Sequence, residues 1–234
     1  MNTANAKNRG YFKIEGAARA FNFDFKGKVV LDIGSSTGGF TEYALDRGAK
    51  KVIAVEKGSH QMKAPLRFDP RIDLHEKTDI FDFRITEMPL EGHPQLLRGR
   101  SEEPREDGRD ERPEKGVSVI LADGRGPMKK HICAPDVIVA DVSFISLTKI
   151  LAYAKMNLSR PTTDFLVMLK PQFEAHQDQL HNGIVKNETI RREIIKNFEQ
   201  WLKNNSFIVI NKHDNQLSGK NGNKERFYYL KLAK

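Results

Sequence analysis

Val29-Val30-Leu31-Asp32-Ile33-Gly34-Ser35-Ser36-Thr37-Gly38-Gly39-Phe40 is the stretch that decides the fold. The apolar run after Lys28 predicts a strand buried on both faces, and the glycines behind it predict a turn into a helix. In an open α/β sheet, ligands bind outside the carboxyl ends of the strands, which makes this turn the floor of a candidate cofactor site. A turn of this kind can also do no more than join strand to helix. The spacing Gly34-x-x-x-Gly38-Gly39 departs from the dinucleotide pattern G-x-G-x-x-G and lacks the Gly-Lys-Ser/Thr of a phosphate loop. Asp32, just ahead of the turn, repels a pyrophosphate and suits a cationic or amine-bearing ligand. The stretch therefore reads as an S-adenosylmethionine turn, with Asp32, Gly34, Ser35, Ser36, Thr37, Gly38, Gly39 and Phe40 as its cofactor contacts.

Upstream, Tyr11, Phe12, Ile14, Ala17, Ala18 and Phe21 recur at helical spacing and predict an amphipathic helix over residues 9–21. Lys13 lies among these apolar neighbours, where a lysine ordinarily snorkels to the surface. Downstream, a helix over residues 38–46 ends at Arg47-Gly48, and Lys51–Glu56 predicts a second buried strand. Glu56 lies 22 positions after Gly34, where a nucleoside-binding βαβ unit keeps a carboxylate for the ribose hydroxyls. A strand-end glutamate is also a common cap. Residues 60–68 read as a short helix and 72–75 as a third strand, after which Asp79 is the candidate at the adenine edge.

Between Leu97 and Gly116, 13 of 20 residues are charged, in mixed sign. Such a segment cannot bury enough apolar surface to offset its ordering entropy, so residues 84–135 read as an insertion with a disordered loop at 97–116. Within it, residues 117–121 predict one strand. Regular signals resume with strands over 136–141 and 165–170, a helix to about residue 157, and a helix capped by Asn187. Two final strands, 207–211 and 226–232, close the chain. This order predicts one α/β domain over residues 1–234. It is a three-layer, Rossmann-like fold with a mostly parallel seven-stranded sheet and an antiparallel last strand, the usual class I S-adenosylmethionine-dependent methyltransferase topology.

The charge is uneven. Residues 1–83 carry 14 basic and 11 acidic side chains, residues 84–141 carry 10 and 12, and residues 142–234 carry 15 and 8. Of the net +8, the C-terminal portion thus holds most, which favours a polyanionic partner such as RNA over mere solubility charge. One cysteine, Cys133, excludes an internal disulfide and a multi-cysteine zinc site, and no coherent metal cluster is offered. No stretch approaches the roughly 20 apolar residues of a membrane span, and the first residues lack the apolar core of a signal peptide. A cytoplasmic protein is expected.

Three predicted strands end in ionisable residues, Glu56, Asp141 and Lys170. Strand carboxyl ends converge on one edge, so Asp141 and Lys170 are expected to face each other beside the glycine turn. Such a pair is either a working site or a salt bridge tying neighbouring strands, and position alone leaves both open.

Asp32-Ile-Gly-Ser-Ser-Thr-Gly-Gly-Phe-Thr, Asp141-Val-Ser-Phe-Ile-Ser-Leu, Lys170-Pro-Gln-Phe-Glu-Ala, Gly183-Ile-Val and Gly222-Asn-Lys-Glu225 resemble the haemolysin A-type (TlyA-like) ribosomal RNA methyltransferases, within the FtsJ-like 2′-O-methyltransferases. The similarity runs from about Arg9 to Leu232, interrupted by the insertion. It implies a Lys-Asp-Lys-Glu catalytic tetrad at Lys13, Asp141, Lys170 and Glu225, with S-adenosyl-L-methionine as cofactor and ribosomal RNA or a ribosomal subunit as partner. The family usually reads Arg-Gly-Gly-x-Lys at the first position, whereas this chain has Tyr11-Phe12 before Lys13. A lysine fits the chemistry: it can take the proton of a ribose 2′-hydroxyl and stabilise the alkoxide that attacks the methyl. Asp141 and Glu225 would orient the two amines.

Family members usually carry an N-terminal S4-type RNA-binding domain, and here the Lys13 helix begins almost at once. RNA recognition is then expected from the basic C-terminal face, the insertion or a separate partner. Lys220, Lys224 and Arg226 are the expected phosphate contacts, and Phe144 and Phe173 either stack on a flipped base or belong to the core. Two other readings compete: a non-catalytic RNA-binding assembly factor that kept the fold, and a nicotinamide-dependent oxidoreductase. The intact Asp141, Lys170 and Glu225 weigh against the first, and the glycine spacing against the second.

Overall fold

Most of the parallel strands are apolar runs with nowhere to go but inside. In a computed structural model, which describes residues 7–85, 134–217 and 222–233, β1 (Val29–Ile33), β2 (Lys51–Val55) and β3 (Ile72–His75) lead the chain. β4 (Val137–Ala140), β5 (Asp164–Leu169), β6 (Phe207–Asp214) and β7 (Arg226–Leu232) follow. The described residues up to Arg84 and from Ala134 onward belong to one structural unit. The expected strand over 117–121, the charged stretch 97–116 and Cys133 lie outside the described residues, as does Lys220.

The strands pair in the order β3-β2-β1-β4-β5-β7-β6, with β7 antiparallel to both neighbours and the rest parallel. This is the expected seven-stranded sheet. Among the described residues four α-helices cover it: α1 (Arg9–Ala20), α2 (Gly39–Asp46), α3 (Leu147–Asn157) and α4 (Glu188–Asn204). Side chains alternate across a strand, and Phe227 and Tyr228 show where the layers lie. Phe227 meets Phe40 of α2 at 6.0 Å between ring centroids, and Tyr228 meets Phe198 of α4 at 5.2 Å. The α1 and α2 face buries Tyr11, Ile14, Ala17, Phe40 and Ala44 against Val30, Val139, Leu166 and Met168. The Val, Leu, Ile, Phe and Met side chains among them contribute roughly 1.5–3 kcal/mol each when fully buried.

Three expectations need correction. Residues 60–68 are not a helix; only Leu66–Phe68 makes a single 3₁₀ turn. Pro65 lacks an amide donor and disfavours the helical conformation at Ala64, and His60 adopts φ 55°. The sixth strand runs on past Asn211 to Asp214, because a bulge between Val209 and Asn211 lets it keep pairing with β7. Lys13 does not snorkel: it lies on the buried face of α1 at 7% exposure.

The placement of α1 depends on a close crossing. Asn8 caps the helix by accepting from the Tyr11 amide at 3.1 Å, and its Nδ2 donates to Thr37 Oγ1 of the glycine turn at 3.3 Å. A Cβ on Gly39 would lie 2.7 Å from the Tyr11 amide nitrogen and 2.9 Å from the Gly10 carbonyl carbon. Both are backbone atoms and cannot rotate away. Gly39→Ala is therefore expected to push α1 off α2 and cost about 1–3 kcal/mol of unfolding free energy in a denaturant titration. A variant as stable as the parent contradicts this account of the crossing.

Candidate active site

Register brings the strand ends to one edge. Ile33 stands opposite both Val55 and Ala140, so Gly34, Glu56 and Asp141 emerge side by side. Ala140 pairs with Val167 and Leu169 with Arg226, which sets Lys170 and Glu225 at the same edge. Gly34 adopts φ 79°, and a Cβ there would come within 3.1 Å of the Asp141 carbonyl oxygen. Only glycine meets both conditions.

Two cavities open on either side of this edge. The larger, about 570 Å³, is lined by Gly34, Ser36, Glu56, Asp79, Ile80, Phe81 and Ile145, among others. Glu56 accepts from the Ser36 amide at 2.9 Å and the Gly58 amide at 2.7 Å, so it both caps the turn and lines the cavity. Asp79 accepts from Lys57 at 2.9 Å and from the Phe81 amide at 3.1 Å, and these donors hold its carboxyl below the usual range.

The smaller cleft, about 240 Å³, is lined by Arg9, Lys13, Asp32, Ser35, Thr37, Asp141, Ser143 and Lys170, among others. Lys170 Nζ lies 2.6 Å from Asp141 and donates to Ser143 Oγ at 3.0 Å. Lys13 Nζ lies 2.7 Å from Glu225 Oε2, with both side chains less than a tenth exposed. Asn215 Nδ2 donates to that same oxygen at 3.2 Å. The four tetrad positions expected from the sequence thus form two lysine–carboxylate pairs, and Lys13, Asp141 and Lys170 line the cleft. Among the described residues no group of three or more His, Cys, Asp or Glu is placed to hold a metal ion.

Asp32 is fully buried and accepts from Thr41 Oγ1 at 2.6 Å. Its Oδ1 and the Ser35 Oγ have no hydrogen-bond partner among the described residues. Burial pushes the Asp32 carboxyl up to about 7, opposed by the Thr41 hydroxyl and reinforced by the negative charges of Asp141 and Glu56.

Other expected contacts differ. Gly38 lines neither cavity and serves as the left-handed entry to α2, whereas Phe40 lines the smaller cleft and also packs into the core. Arg226 is not open to a phosphate. It grips Asp214 at 2.6 and 3.0 Å, tying β7 to β6, and with Arg191 holds the Asp214 carboxyl down to about 2. Lys224 is exposed and paired with Glu188. Phe144 is 93% exposed at φ 62°, its ring 5.3 Å from that of Phe173. It is therefore no core residue.

Sequence reasoning missed Arg9, Ser143 and Glu174. Glu174 accepts from Ser146 Oγ at 2.6 Å and the Leu147 amide at 2.7 Å, closing the start of α3. Burial raises its carboxyl despite these donors. Ser143 had a signal, a short hydroxyl two residues beyond the strand-end acid. Glu174 had none, because its partner helix lies 27 residues away.

A twisted α/β sheet with a glycine turn, an adjoining nucleoside-sized cavity and paired lysines defines a nucleoside-cofactor transferase. Residues 6–232 match the FtsJ-like methyltransferase family, and the chain belongs to that family. It is 31% identical to Hemolysin A of Brachyspira hyodysenteriae, with 91% of this chain and 71% of that protein covered. It is 29% identical to the 16S/23S rRNA (cytidine-2′-O)-methyltransferase TlyA of Mycobacterium tuberculosis, covering 95% and 67%. A solved structure described as a hemolysin from Streptococcus thermophilus superposes with TM-score 0.73 at 28% identity, covering 99% of this chain and 69% of that one. The chain spans 64% to 71% of the length of these curated relatives, the lower figure for YqxC of Bacillus subtilis.

The raised Asp32 carboxyl makes stability depend on pH. The folded state holds the proton more tightly than the unfolded one, so stability falls as pH rises from 3.8 to about 7. Asp32→Asn is expected to remove this component. The difference between the two unfolding free energies should shift in favour of the variant across that window, as read by denaturant titrations at several pH values. A difference independent of pH contradicts the assignment.

Proposed function

We propose that the protein is an S-adenosylmethionine-dependent methyltransferase acting on a ribose 2′-hydroxyl of ribosomal RNA. The observation that carries this reading is the cleft beside the glycine turn that both Lys13 and Lys170 line, each held by a carboxylate. S-Adenosylmethionine supplies an electrophilic methyl group on a sulfonium. The residues fit such a molecule. Glu56 is assigned to the ribose hydroxyls, and Asp79, Ile80 and Phe81 to the base. The unpartnered oxygens of Asp32 and Ser35 are assigned to the amino-acid end, where an ionised Asp32 complements an ammonium.

Lys170, as the neutral amine left once its ammonium has given a proton to solvent, takes the proton of the attacking hydroxyl. Asp141 holds the resulting ammonium, and Ser143 fixes the direction of Nζ. Lys13, oriented by Glu225, supplies positive charge where the oxyanion develops. Phe144 and Phe173 form a platform for the base of the target nucleotide. A bulky, exposed residue at positive φ is strained, and such strain is kept where a ligand needs it. Arg9 at the cleft and exposed Lys224 are assigned to phosphates.

The reading treats residues 1–234 as one methyltransferase domain, with 84–135 as an insertion. It is supported by the family match and by relatives named as rRNA methyltransferases. Wider recognition of the RNA is assigned to the basic excess of residues 142–234; a separate recognition partner is the alternative. No helix among the described residues is long and apolar enough to cross a membrane.

Incubation with methyl-labelled S-adenosylmethionine and ribosomal RNA tests the proposal. The wild type is expected to label the RNA, and Lys170→Ala to lose roughly 10²- to 10⁴-fold in rate. Cofactor affinity, measured by calorimetry, should be unchanged. Transfer that persists in the variant contradicts the role of Lys170.

A further inference from the structure

A third cavity, about 340 Å³, opens between α1 and the end of β6 and shares no lining residue with the two assigned to cofactor and target. Phe12, Gly16, Arg19 and Ala20 of α1 form one wall, and His213, Asn215, Gln216 and Leu217 at the end of β6 form the other. Its size suits one nucleotide rather than a whole cofactor.

Three observations say what it takes. Phe12 is 47% exposed and Leu217 41%, so an aromatic face and an aliphatic side chain stand open to solvent across the groove. The Arg19 side chain is exposed and has no hydrogen bond or ion pair among the described residues, while the Gln216 amide brings a donor and an acceptor to the opposite wall, where the Asn215 side chain is bonded to Glu225 and to the Leu217 amide. An aromatic face, a cation and amides are what a stacked, single-stranded nucleotide requires. Finally, Gly16 sits mid-helix, where glycine disfavours the helix relative to alanine. Neither packing nor backbone explains it, since a Cβ there would meet nothing within 4 Å.

The groove is joined to the reaction cleft from both walls. Phe12 precedes Lys13 on α1. Asn215 donates to Glu225 Oε2, the oxygen that also pairs with Lys13, and its amide donates to the Glu225 carbonyl at 2.9 Å. An occupant that engages Asn215 therefore acts directly on the partner of Lys13.

We infer that this groove binds a nucleotide of the substrate RNA flanking the methylated one, on the opposite side of Lys13 from the Phe144–Phe173 platform. The inference rests on the RNA reading above. It makes the protein grip its substrate at two stacking points, with the reacting ribose between them.

Gly16→Leu fills the groove without touching the core and raises helix propensity, so the fold is preserved. The expected result is a KM for ribosomal RNA raised about tenfold, the size of one lost base stack, with cofactor affinity and thermal midpoint maintained. Phe12→Ala, at an exposed position, should raise KM in the same direction. Photocrosslinking then identifies the occupant: benzoylphenylalanine replaces either Phe12 or Phe144, and each variant is irradiated with purified ribosomal subunits. RNA crosslinks at both positions support the inference. An unchanged KM in both groove variants overturns it, as does a crosslink at position 144 without one at 12, or a crosslink from 12 to ribosomal protein. RNA crosslinks at neither position remove the RNA reading itself, and the groove assignment with it.

Discussion

Parallel pairing of β1 with β2 and β4 is the constraint on which everything else here depends. Because Ile33 stands level with Val55 and Ala140, the first residue beyond each strand is a candidate site residue: Gly34, Glu56, Asp141. A one-residue slip would turn each strand's buried set to the opposite face, so hydrophobic packing holds the site in place. The antiparallel return of β7 adds Glu225 at the level of Lys170, and that carboxylate captures Lys13 from α1. Two elements distant in sequence thus meet at one cleft.

The charges gathered there do not serve the fold. A buried ion pair is often no better for stability than well-packed apolar residues of the same volume, because desolvation offsets the attraction. Lys13–Glu225 is such a pair, and Asp32 lies deeper still without a cation against it. The cluster is understandable as a preorganised environment for a reaction that develops charge. Two lysines are held by two carboxylates, and one buried carboxylate oxygen of Asp32 has no partner among the described residues.

Much of this was legible in the sequence, for identifiable reasons. β1 and β4 are mostly apolar runs with clear ends, and Asn187 accepts from the Thr189 amide, as a helix-capping asparagine does. The motifs carrying Asp141, Lys170 and Glu225 follow strand ends, where register converts order in the chain into proximity. Local chemistry misled where tertiary contacts decide. Arg226 looked like a phosphate ligand because the loop beside it is basic, yet Asp214 lies across the β6–β7 ladder and claims it. The helix expected over residues 60–68 gave way to Pro65. The groove beside Gly16 could not be read at all, since its second wall comes from residues about 200 positions away.

The central claim is that the acceptor is a ribose hydroxyl rather than a base. Nucleoside analysis of ribosomal RNA methylated by the wild-type protein tests it most directly. The account predicts label in a 2′-O-methylated nucleoside, recovered after alkaline hydrolysis as an alkali-resistant dinucleotide. Label confined to a methylated base would contradict it.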